Sequence, residues 1–255
     1  MKNAAAPVAV FDSGVGGIGV LREIKNLLPH ENLLYFGDSK MAPYGERTTK
    51  DVRELVLSHA ARLLKDAKAL VLACNTATAA AAKELRLTYP HLPIIGMEPA
   101  IKPALGVTSH PKLLILATAA TLREEKLSAL LLKHRDDADF YKCAAPGLVR
   151  LVEAGLAESP EIDRYLATLL APFKGEDRPD AVVLGCTHFP FAKAAISRFF
   201  GDRMPLFDGA AGTARELARR LSVADCLNPS KKNGTVTLTA SDAASLPLFE
   251  RLLYT

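Results

Sequence analysis

The sequence contains no apolar run long enough to cross a membrane. Its longest apolar runs, such as residues 69–73 and 181–184, have the length of a strand, whereas a membrane-spanning helix needs about 20 residues. The apolar stretch near the N-terminus runs into Asp12 and lacks the hydrophobic segment and cleavage site of a signal peptide. We therefore expect a cytoplasmic protein without a membrane partner.

Cysteine is scarce, and no two cysteines stand close together in the chain. The absence of a C-x-x-C motif argues against a zinc ribbon and a thioredoxin-like site, so no metal site is expected, and in a reducing compartment the thiols should be free. The net charge is only +4, and the basic residues are scattered instead of forming a long run, so nucleic acid is not an expected partner. The four cysteines are Cys74, Cys143, Cys186 and Cys226.

Short apolar runs alternate with helical patterns along the 255 residues. This alternation predicts an α/β fold with mostly parallel sheets, and the length favours two domains. A helix is expected over residues 49–66, where apolar residues recur at helical spacing. Strands are expected at residues 8–11, 33–36, 69–73, 94–97, 113–117, 181–185, 206–207 and 235–239.

A weak internal similarity relates the two halves of the chain. Residues 8–13 resemble 113–118, and residues 69–74 resemble 181–186, at offsets of 105 and 112 residues. We therefore predict two similar α/β domains, related by a pseudo-twofold axis and facing each other across a central active-site cleft at the carboxyl ends of their strands. The expected first domain comprises residues 1–97 and 208–255, and the second comprises residues 98–207.

Two of the cysteines follow corresponding strands in these halves. Cys74 precedes an alanine-rich helical stretch, which Asn75 or Thr76 can cap. Cys186 is followed by His188, a suitable proton partner, and then by a proline suited to a first helical turn. A helix N-terminus favours the thiolate form of a nearby cysteine. The alternative is that both are inert buried thiols.

A glycine-rich segment, Asp12-Ser13-Gly14-Val15-Gly16-Gly17-Ile18-Gly19, follows the first strand. It satisfies the G-x-G-x-x-G pattern, and Asp38 lies near the position of a ribose-binding acid, so an NAD-dependent oxidoreductase is an alternative. Asp12 argues against it, because a carboxylate before the glycines would repel a pyrophosphate. Asp12 is better suited to orienting a base or relaying protons, and Ser13 to binding substrate. A further alternative is that the glycines only permit a tight turn.

Taken together, several motifs resemble the glutamate racemase family in order over nearly the whole chain. They include Thr118 and Thr121, the 146–147 and 151–153 stretches, and Phe207-Asp208. The most specific are residues 11–17, 37–39, 43–45, 73–77, 98–99 and 185–190.

The resemblance implies a two-domain α/β fold and a racemase that needs no cofactor, with Cys74 and Cys186 as its two bases and Asp12 and His188 assisting them. It also implies a homodimer that makes D-glutamate for peptidoglycan. An activator site built on an N-terminal extension, as in some relatives, is not expected. The substrate contacts implied are Asp12, Ser13, Tyr44, Gly45, Asn75, Thr76, Thr118, Thr121, Thr187 and His188.

Racemisation removes the α-proton of an amino acid from one face and returns a proton to the other. Two opposed thiols supply this chemistry if preorganised donors stabilise the developing negative charge. A two-lobed ligand-binding protein would share the fold, but it has no evident use for paired cysteines. The residues alone leave glutamate and aspartate open as substrates, and glutamate follows from the resemblance.

Overall fold

The structure, a computed structural model, describes residues 3–254 and divides them into two compact units. Unit 1 comprises residues 3–98 and 210–254, and unit 2 comprises Pro99–Gly209. Each unit contains one sheet in which all paired strands are parallel. The predicted α/β class with two parallel sheets is confirmed.

The strands of the described residues carry most of the buried apolar runs expected from the sequence. Eight of the nine begin and end within one residue of a predicted run. In chain order they are β1 (Val8–Asp12), β2 (Leu33–Gly37), β3 (Ala69–Leu72), β4 (Ile94–Gly96), β5 (Lys112–Ala117), β6 (Asp139–Ala144), β7 (Ala181–Gly185), β8 (Leu206–Asp208) and β9 (Val236–Ala240).

The α-helices of the described residues cover the sheets and join consecutive strands. Helix α2 shows why these segments are helical: Thr48 caps it by accepting a hydrogen bond from the Asp51 N–H at 3.1 Å. In chain order the helices are α1 (Ile18–Leu27), α2 (Thr49–Leu63), α3 (Asn75–Thr88), α4 (Ile101–Ala104), α5 (Ala119–Leu122), α6 (Glu125–Lys133), α7 (Pro146–Glu153), α8 (Pro160–Leu169), α9 (Lys193–Phe200), α10 (Ala210–Val223) and α11 (Leu246–Tyr254).

Helix α2 ends three residues before the predicted end at residue 66. The N–H groups of Lys65 and Asp66 bond to carbonyls only three residues back, those of Arg62 and Leu63. This tighter spacing is that of a 3₁₀ turn, a common end of an α-helix.

The two sheets share one strand order. Unit 1 has the order β4-β3-β1-β2-β9, and unit 2 has the order β8-β7-β5-β6. The first four strands of unit 1 therefore correspond, one for one and in the same spatial order, to the four strands of unit 2. The internal similarity seen in the sequence is thus a repeated topology, and β3 of unit 1 corresponds to β7 of unit 2.

Strand β6 has no counterpart among the predicted strands. It is an edge strand with only one buried residue, Cys143, so its sequence mixes charged and apolar residues. Its counterpart β2 lies between β1 and β9 and reads as a buried apolar run. An edge position exposes one side of a strand to water, which removes the apolar signal.

Candidate active site

Cys74 caps the N-terminus of helix α3, two residues after strand β3 ends. Its Sγ accepts a hydrogen bond from the backbone N–H of Ala77 at 3.5 Å. The expectation that Asn75 or Thr76 caps this helix is wrong, because both already lie in its first turn. The N-terminus of a helix carries partial positive charge, so this position favours negative charge on the sulfur.

Asn75 is buried, yet neither polar atom of its side-chain amide has a hydrogen-bond partner within residues 3–254. Leaving a buried polar atom unpartnered costs roughly 1–3 kcal/mol. One unpartnered N–H donor beside one unpartnered carbonyl acceptor suits a ligand that offers both an acceptor and a donor. The carboxylate and ammonium groups of an amino acid are such a pair.

Asp12 is the last residue of strand β1 and is fully buried. One carboxylate oxygen, Oδ1, accepts a hydrogen bond from the Gly14 N–H at 3.0 Å. Gly17 lies so close that a Cβ there would stand 2.6 Å from the Asp12 Cβ and 3.1 Å from the Ala73 Cβ. Phe11 pairs with Leu72 in the register of β1 and β3, so Asp12 lies beside Ala73, the residue that precedes Cys74.

Asp38, at the end of strand β2, binds two side chains of unit 1. Its Oδ2 accepts hydrogen bonds from the Tyr44 hydroxyl at 2.7 Å and from His59 Nε2 at 3.2 Å. Burial raises the pKa of Asp38, but the hydrogen bonds from His59 and Tyr44 outweigh it and hold the pKa below its usual value. Burial and the neighbouring Asp38 raise the pKa of Tyr44, so its hydroxyl stays protonated.

These contacts count against dinucleotide binding at the glycine-rich segment. The Asp38 carboxylate is 1% exposed and is engaged by two side chains, so it is not free to bind a ribose. A Cβ at Gly19 would meet no heavy atom within 4 Å, whereas Gly17 has no room for one. The third glycine of a dinucleotide fingerprint allows close helix packing. Here the closely packed glycine is Gly17, which is not one of the three glycines of the pattern.

In unit 2, Cys186 follows strand β7 as Cys74 follows β3. Its Sγ lies 3.6 Å from Nδ1 of His188, and both side chains are buried. The segment that follows is a 3₁₀ turn over Phe189–Ala192, and α9 begins only at Lys193. Pro190 therefore lies in a first helical turn, as expected, but that turn is 3₁₀ and not the start of an α-helix, and the side chain that neighbours this sulfur is His188.

His188 also binds Glu153, which was not among the site residues predicted from the sequence. His188 Nε2 lies 2.5 Å from Glu153 Oε1 at the end of helix α7, and a carboxylate can only accept this bond. Burial lowers the pKa of His188, but hydrogen bonds with Cys186 and Glu153 outweigh it and raise the pKa well above its usual value. The only signal in the sequence was the resemblance of the stretch that ends at Glu153.

Thr118 and Thr121 lie at the carboxyl end of strand β5, beside the end of β7. Thr118 caps helix α5: its Oγ1 accepts a hydrogen bond from the Thr121 N–H at 3.1 Å and donates one to the Thr121 Oγ1 at 3.0 Å. Ala117 pairs with Gly185 in the register of β5 and β7, so Thr118 and Cys186 follow neighbouring strand ends.

The expected site residues thus fall into two groups, each within one unit. The group in unit 1 contains Asp12, Ser13, Tyr44, Gly45, Cys74, Asn75 and Thr76. The group in unit 2 contains Thr118, Thr121, Cys186, Thr187 and His188. Of these, only Gly45 is not buried.

The chain is similar in sequence to a racemase family and to proteins named glutamate racemase. The sequence pattern of the Asp/Glu/Hydantoin racemases matches residues 19–217. The glutamate racemase of Clostridium perfringens is 42% identical and covers 99% of this chain and 97% of its own length.

Solved structures of glutamate racemases share the fold. One from Bacillus anthracis has 30% identity and a TM-score of 0.86, covering 99% of this chain and 96% of that chain. One from Francisella tularensis in complex with D-glutamate has 25% identity and a TM-score of 0.83, covering 99% and 95%.

Two α/β units, each with a parallel sheet and a thiol after a corresponding strand, together with these matches, define an amino-acid racemase. The chain belongs to the Asp/Glu/Hydantoin racemase family, among the glutamate racemases, and is an isomerase of glutamate. The matches support this interpretation and not the dinucleotide-dependent, ligand-binding or aspartate-specific alternatives.

Two further features of the described residues bear on the expectations from the sequence. No helix within residues 3–254 is both long and apolar enough to span a membrane. Over the same residues, no three His, Cys, Asp or Glu side chains are grouped so that they could hold a metal ion.

Proposed function

We propose that Cys74 and Cys186 are the two acid–base groups that racemise glutamate. The observation that carries this proposal is their equivalence: each follows the corresponding strand of a repeated topology, and each sulfur has a neighbour that favours negative charge on it. For Cys74 the neighbour is the N–H of Ala77 at the helix N-terminus. For Cys186 it is His188.

In the direction from L- to D-glutamate, the Cys186 thiolate takes the α-proton and becomes a thiol. The electron pair of the broken C–H bond passes into the substrate carboxylate as a planar intermediate. The Cys74 thiol then donates its proton to the opposite face of Cα and becomes a thiolate. The reverse direction uses the same steps with the two sulfurs exchanged, so each turnover needs one thiolate and one thiol.

The α-proton is weakly acidic, so removing it at neutral pH requires hydrogen-bond donors that stabilise the negative charge of the intermediate. We assign this role to Asn75, Thr76 and Thr187, with Ser13, Tyr44 and Gly45 completing the contacts to glutamate and Thr118 and Thr121 contributing from unit 2. The support for Asn75 is its unpartnered buried amide. Donors fixed in advance need no reorganisation when charge develops.

Asp12 and His188 adjust the protonation of the two sulfurs in this scheme. Asp12 lies beside Ala73, the residue that precedes Cys74, and His188 contacts Cys186 directly. A protonated His188 attracts the negative charge that the neighbouring sulfur carries when it acts as a base. Glu153 keeps His188 protonated and oriented.

The proposed enzyme works without a cofactor, as a homodimer in the cytoplasm, and supplies D-glutamate for peptidoglycan. Thiol bases need a reducing compartment, and the four cysteines are free thiols. The homodimer is an inference from the family resemblance.

Alkylation with iodoacetamide should inactivate the enzyme through Cys74 or Cys186, and glutamate should protect it. The reactive form of a cysteine is the thiolate, which the neighbours of these two sulfurs favour. Burial raises the pKa of Cys143 to about 11 and raises the pKa of Cys226 as well, so both should react slowly. Peptide mass spectrometry against residual activity measures the order of labelling.

Cys226 is the internal control for this experiment, because it is more exposed than either proposed base. Inactivation that follows labelling of Cys226 or Cys143, with Cys74 and Cys186 unmodified, would contradict the proposal.

Replacing Glu153 by glutamine should lower the pKa of His188 and reduce activity. Burial lowers the pKa of His188, and without the Glu153 carboxylate one of the two contacts that oppose this effect is lost. The imidazolium therefore loses its proton at a lower pH. We expect the alkaline limb of the pH profile of kcat/KM to move to lower pH, and kcat at pH 8 to fall about 10- to 100-fold, within the range of a general acid–base contribution.

Glu161→Gln is the matched control, because Glu161 is an exposed glutamate of unit 2 that pairs with Arg164 on helix α8. NMR titration of His188 measures the pKa directly. An unshifted His188 pKa and an unchanged pH profile in Glu153→Gln would show that the pair does not govern the protonation of His188.

A further inference from the structure

We propose that Tyr35 is a positioning residue for the reaction: its hydroxyl fixes the loop that leaves strand β1 at Asp12 and begins with Ser13. Tyr35 lies on the neighbouring strand, β2, and is fully buried. Its hydroxyl donates a hydrogen bond to the backbone carbonyl of Gly14 at 2.6 Å. This proposal rests on the role proposed above for Asp12.

Two hydrogen bonds hold Gly14, one at its N–H and one at its carbonyl, and together we call them the Gly14 clamp. The Gly14 N–H donates to the Asp12 carboxylate at 3.0 Å, and the Gly14 carbonyl accepts from the Tyr35 hydroxyl. Rotation of the backbone at Gly14 would break one bond or the other. Glycine has the widest choice of backbone conformations, so at this position the two bonds supply the restraint that a side chain would otherwise give.

The Tyr35 hydroxyl also packs against Gly17, where the loop has no room for a side chain. A Cβ at Gly17 would stand 2.9 Å from the Tyr35 hydroxyl and 2.6 Å from the Asp12 Cβ. The hydroxyl, Gly17 and the Asp12 side chain therefore form one continuous packed contact. A shift of the tyrosine hydroxyl away from Gly14 would open space into which Asp12 could move.

The Tyr35 ring is itself held from behind by the C-terminal segment of unit 1. Phe249 of helix α11 packs edge-on against it, with ring centroids 5.5 Å apart at 89°. The Phe249 ring also leaves no room for a Cβ at Gly37, 2.6 Å away. On strand β9, the Thr239 hydroxyl donates to the Tyr35 carbonyl at 2.7 Å. These contacts fix the position of the Tyr35 ring, and with it the position from which the hydroxyl reaches the loop.

Asp12 must hold its place beside Cys74 if it is to assist proton transfer there. A displacement of about 1 Å at a reacting group can cost 10²-fold in rate. Losing the Tyr35 hydroxyl should therefore slow the proton transfer that involves Cys74 and leave the chemistry of Cys186 unchanged.

Tyr35→Phe tests this, since it removes the hydroxyl and keeps the ring packed on Phe249. We expect kcat to fall about 10- to 100-fold. The two enantiomers have equal free energies, so kcat/KM must fall equally in both directions, and the asymmetry appears in isotope effects. The primary deuterium isotope effect on kcat/KM should rise with [2-²H]-D-glutamate, where Cys74 takes the proton, and should fall with [2-²H]-L-glutamate.

Thr239→Val is the matched control, because it removes a hydrogen bond to the same tyrosine on the side away from the loop. It should lower Tm by a similar amount and leave kcat and both isotope effects within twofold of the parent enzyme. Equal kinetic losses in the two variants, or parent-like kinetics and isotope effects in Tyr35→Phe, would overturn the positioning role.

Asp12→Asn separates this inference from the proposed function. A large loss in Asp12→Asn with a parent-like Tyr35→Phe refutes only the role of Tyr35. Parent-like activity in Asp12→Asn refutes the proposed role of Asp12 and, with it, the purpose of the Gly14 clamp.

Discussion

Serine in place of either Cys74 or Cys186 should reduce racemisation by at least about 10³-fold in both directions, within the upper range of acid–base contributions. Each turnover needs one sulfur to take a proton and the other to return one. A serine hydroxyl is far less acidic than a thiol, so it neither forms an anion at neutral pH nor gives up its proton readily. The assay follows the optical rotation of L- or D-glutamate without added cofactor.

In heavy water the two variants should differ from each other, because each keeps one working base. Cys74→Ser retains Cys186 and should exchange the α-proton of L-glutamate for deuterium faster than that of D-glutamate. Cys186→Ser should show the reverse preference. In the parent enzyme, product from either enantiomer should carry deuterium at Cα, while early unreacted substrate should carry little.

Cys226→Ser is the control, because Cys226 lies in unit 1 with no proposed role in the reaction. Its thiol donates to the Leu221 carbonyl at 3.6 Å, a hydrogen bond that serine can also make. Near-parent racemisation in both directions by Cys74→Ser or Cys186→Ser would disprove the two-thiol mechanism.

The buried strands and the two cysteines could be predicted from the sequence, because both depend on local pattern. A strand in the middle of a parallel sheet is apolar on both faces, as 69–72 and 181–184 are. The edge strand β6 lacks that signal. The internal offset of 105 residues was the one available clue: applied to the predicted strand at 33–36, it falls on 138–141, close to Asp139–Ala144.

The supporting contacts of the site could not be predicted, because they join residues far apart in the chain. Glu153 and His188 are 35 residues apart, and Asp38 and His59 are 21 apart. The His59 ring stacks on Phe11 and lies tilted against Phe36, which places it on the apolar face of its helix. Only the folded chain brings its Nε2 to Asp38.

Replacing Lys68 by methionine should lower the free energy of unfolding by about 3–5 kcal/mol, the usual effect of removing one partner of a buried ion pair. The Lys68 Nζ lies 2.5 Å from Glu31 Oε2, and both side chains are at most 2% exposed. Methionine fills much of the same volume but leaves the Glu31 carboxylate buried without its cation.

The pair links segments that precede four strands of unit 1. Lys68 directly precedes β3, and its Nζ also donates to the carbonyl of Ala4, ahead of β1, at 2.5 Å. Glu31 precedes β2, and its Oε1 accepts from the Asn228 N–H, ahead of β9, at 2.8 Å. The pair therefore lies at the opposite end of the sheet from Asp12 and Cys74, so we expect the kinetic constants measured below the unfolding transition to stay within twofold of the parent.

Thermal unfolding at pH 7 measures the effect, and at 2–4 °C per kcal/mol for a chain of this size the Tm of Lys68→Met should fall by roughly 6–20 °C. Glu31→Gln should also destabilise, and the double variant should lose less than the sum of the two, with a coupling of roughly 0.5–3 kcal/mol. Arg219→Met is the control, because the Arg219–Glu216 pair is 60% and 44% exposed, and surface pairs contribute about 0–1 kcal/mol. If Lys68→Met unfolded at the same temperature as Arg219→Met, the buried charge of Glu31 would have found another partner or a proton, and the pair would not stabilise unit 1 as predicted.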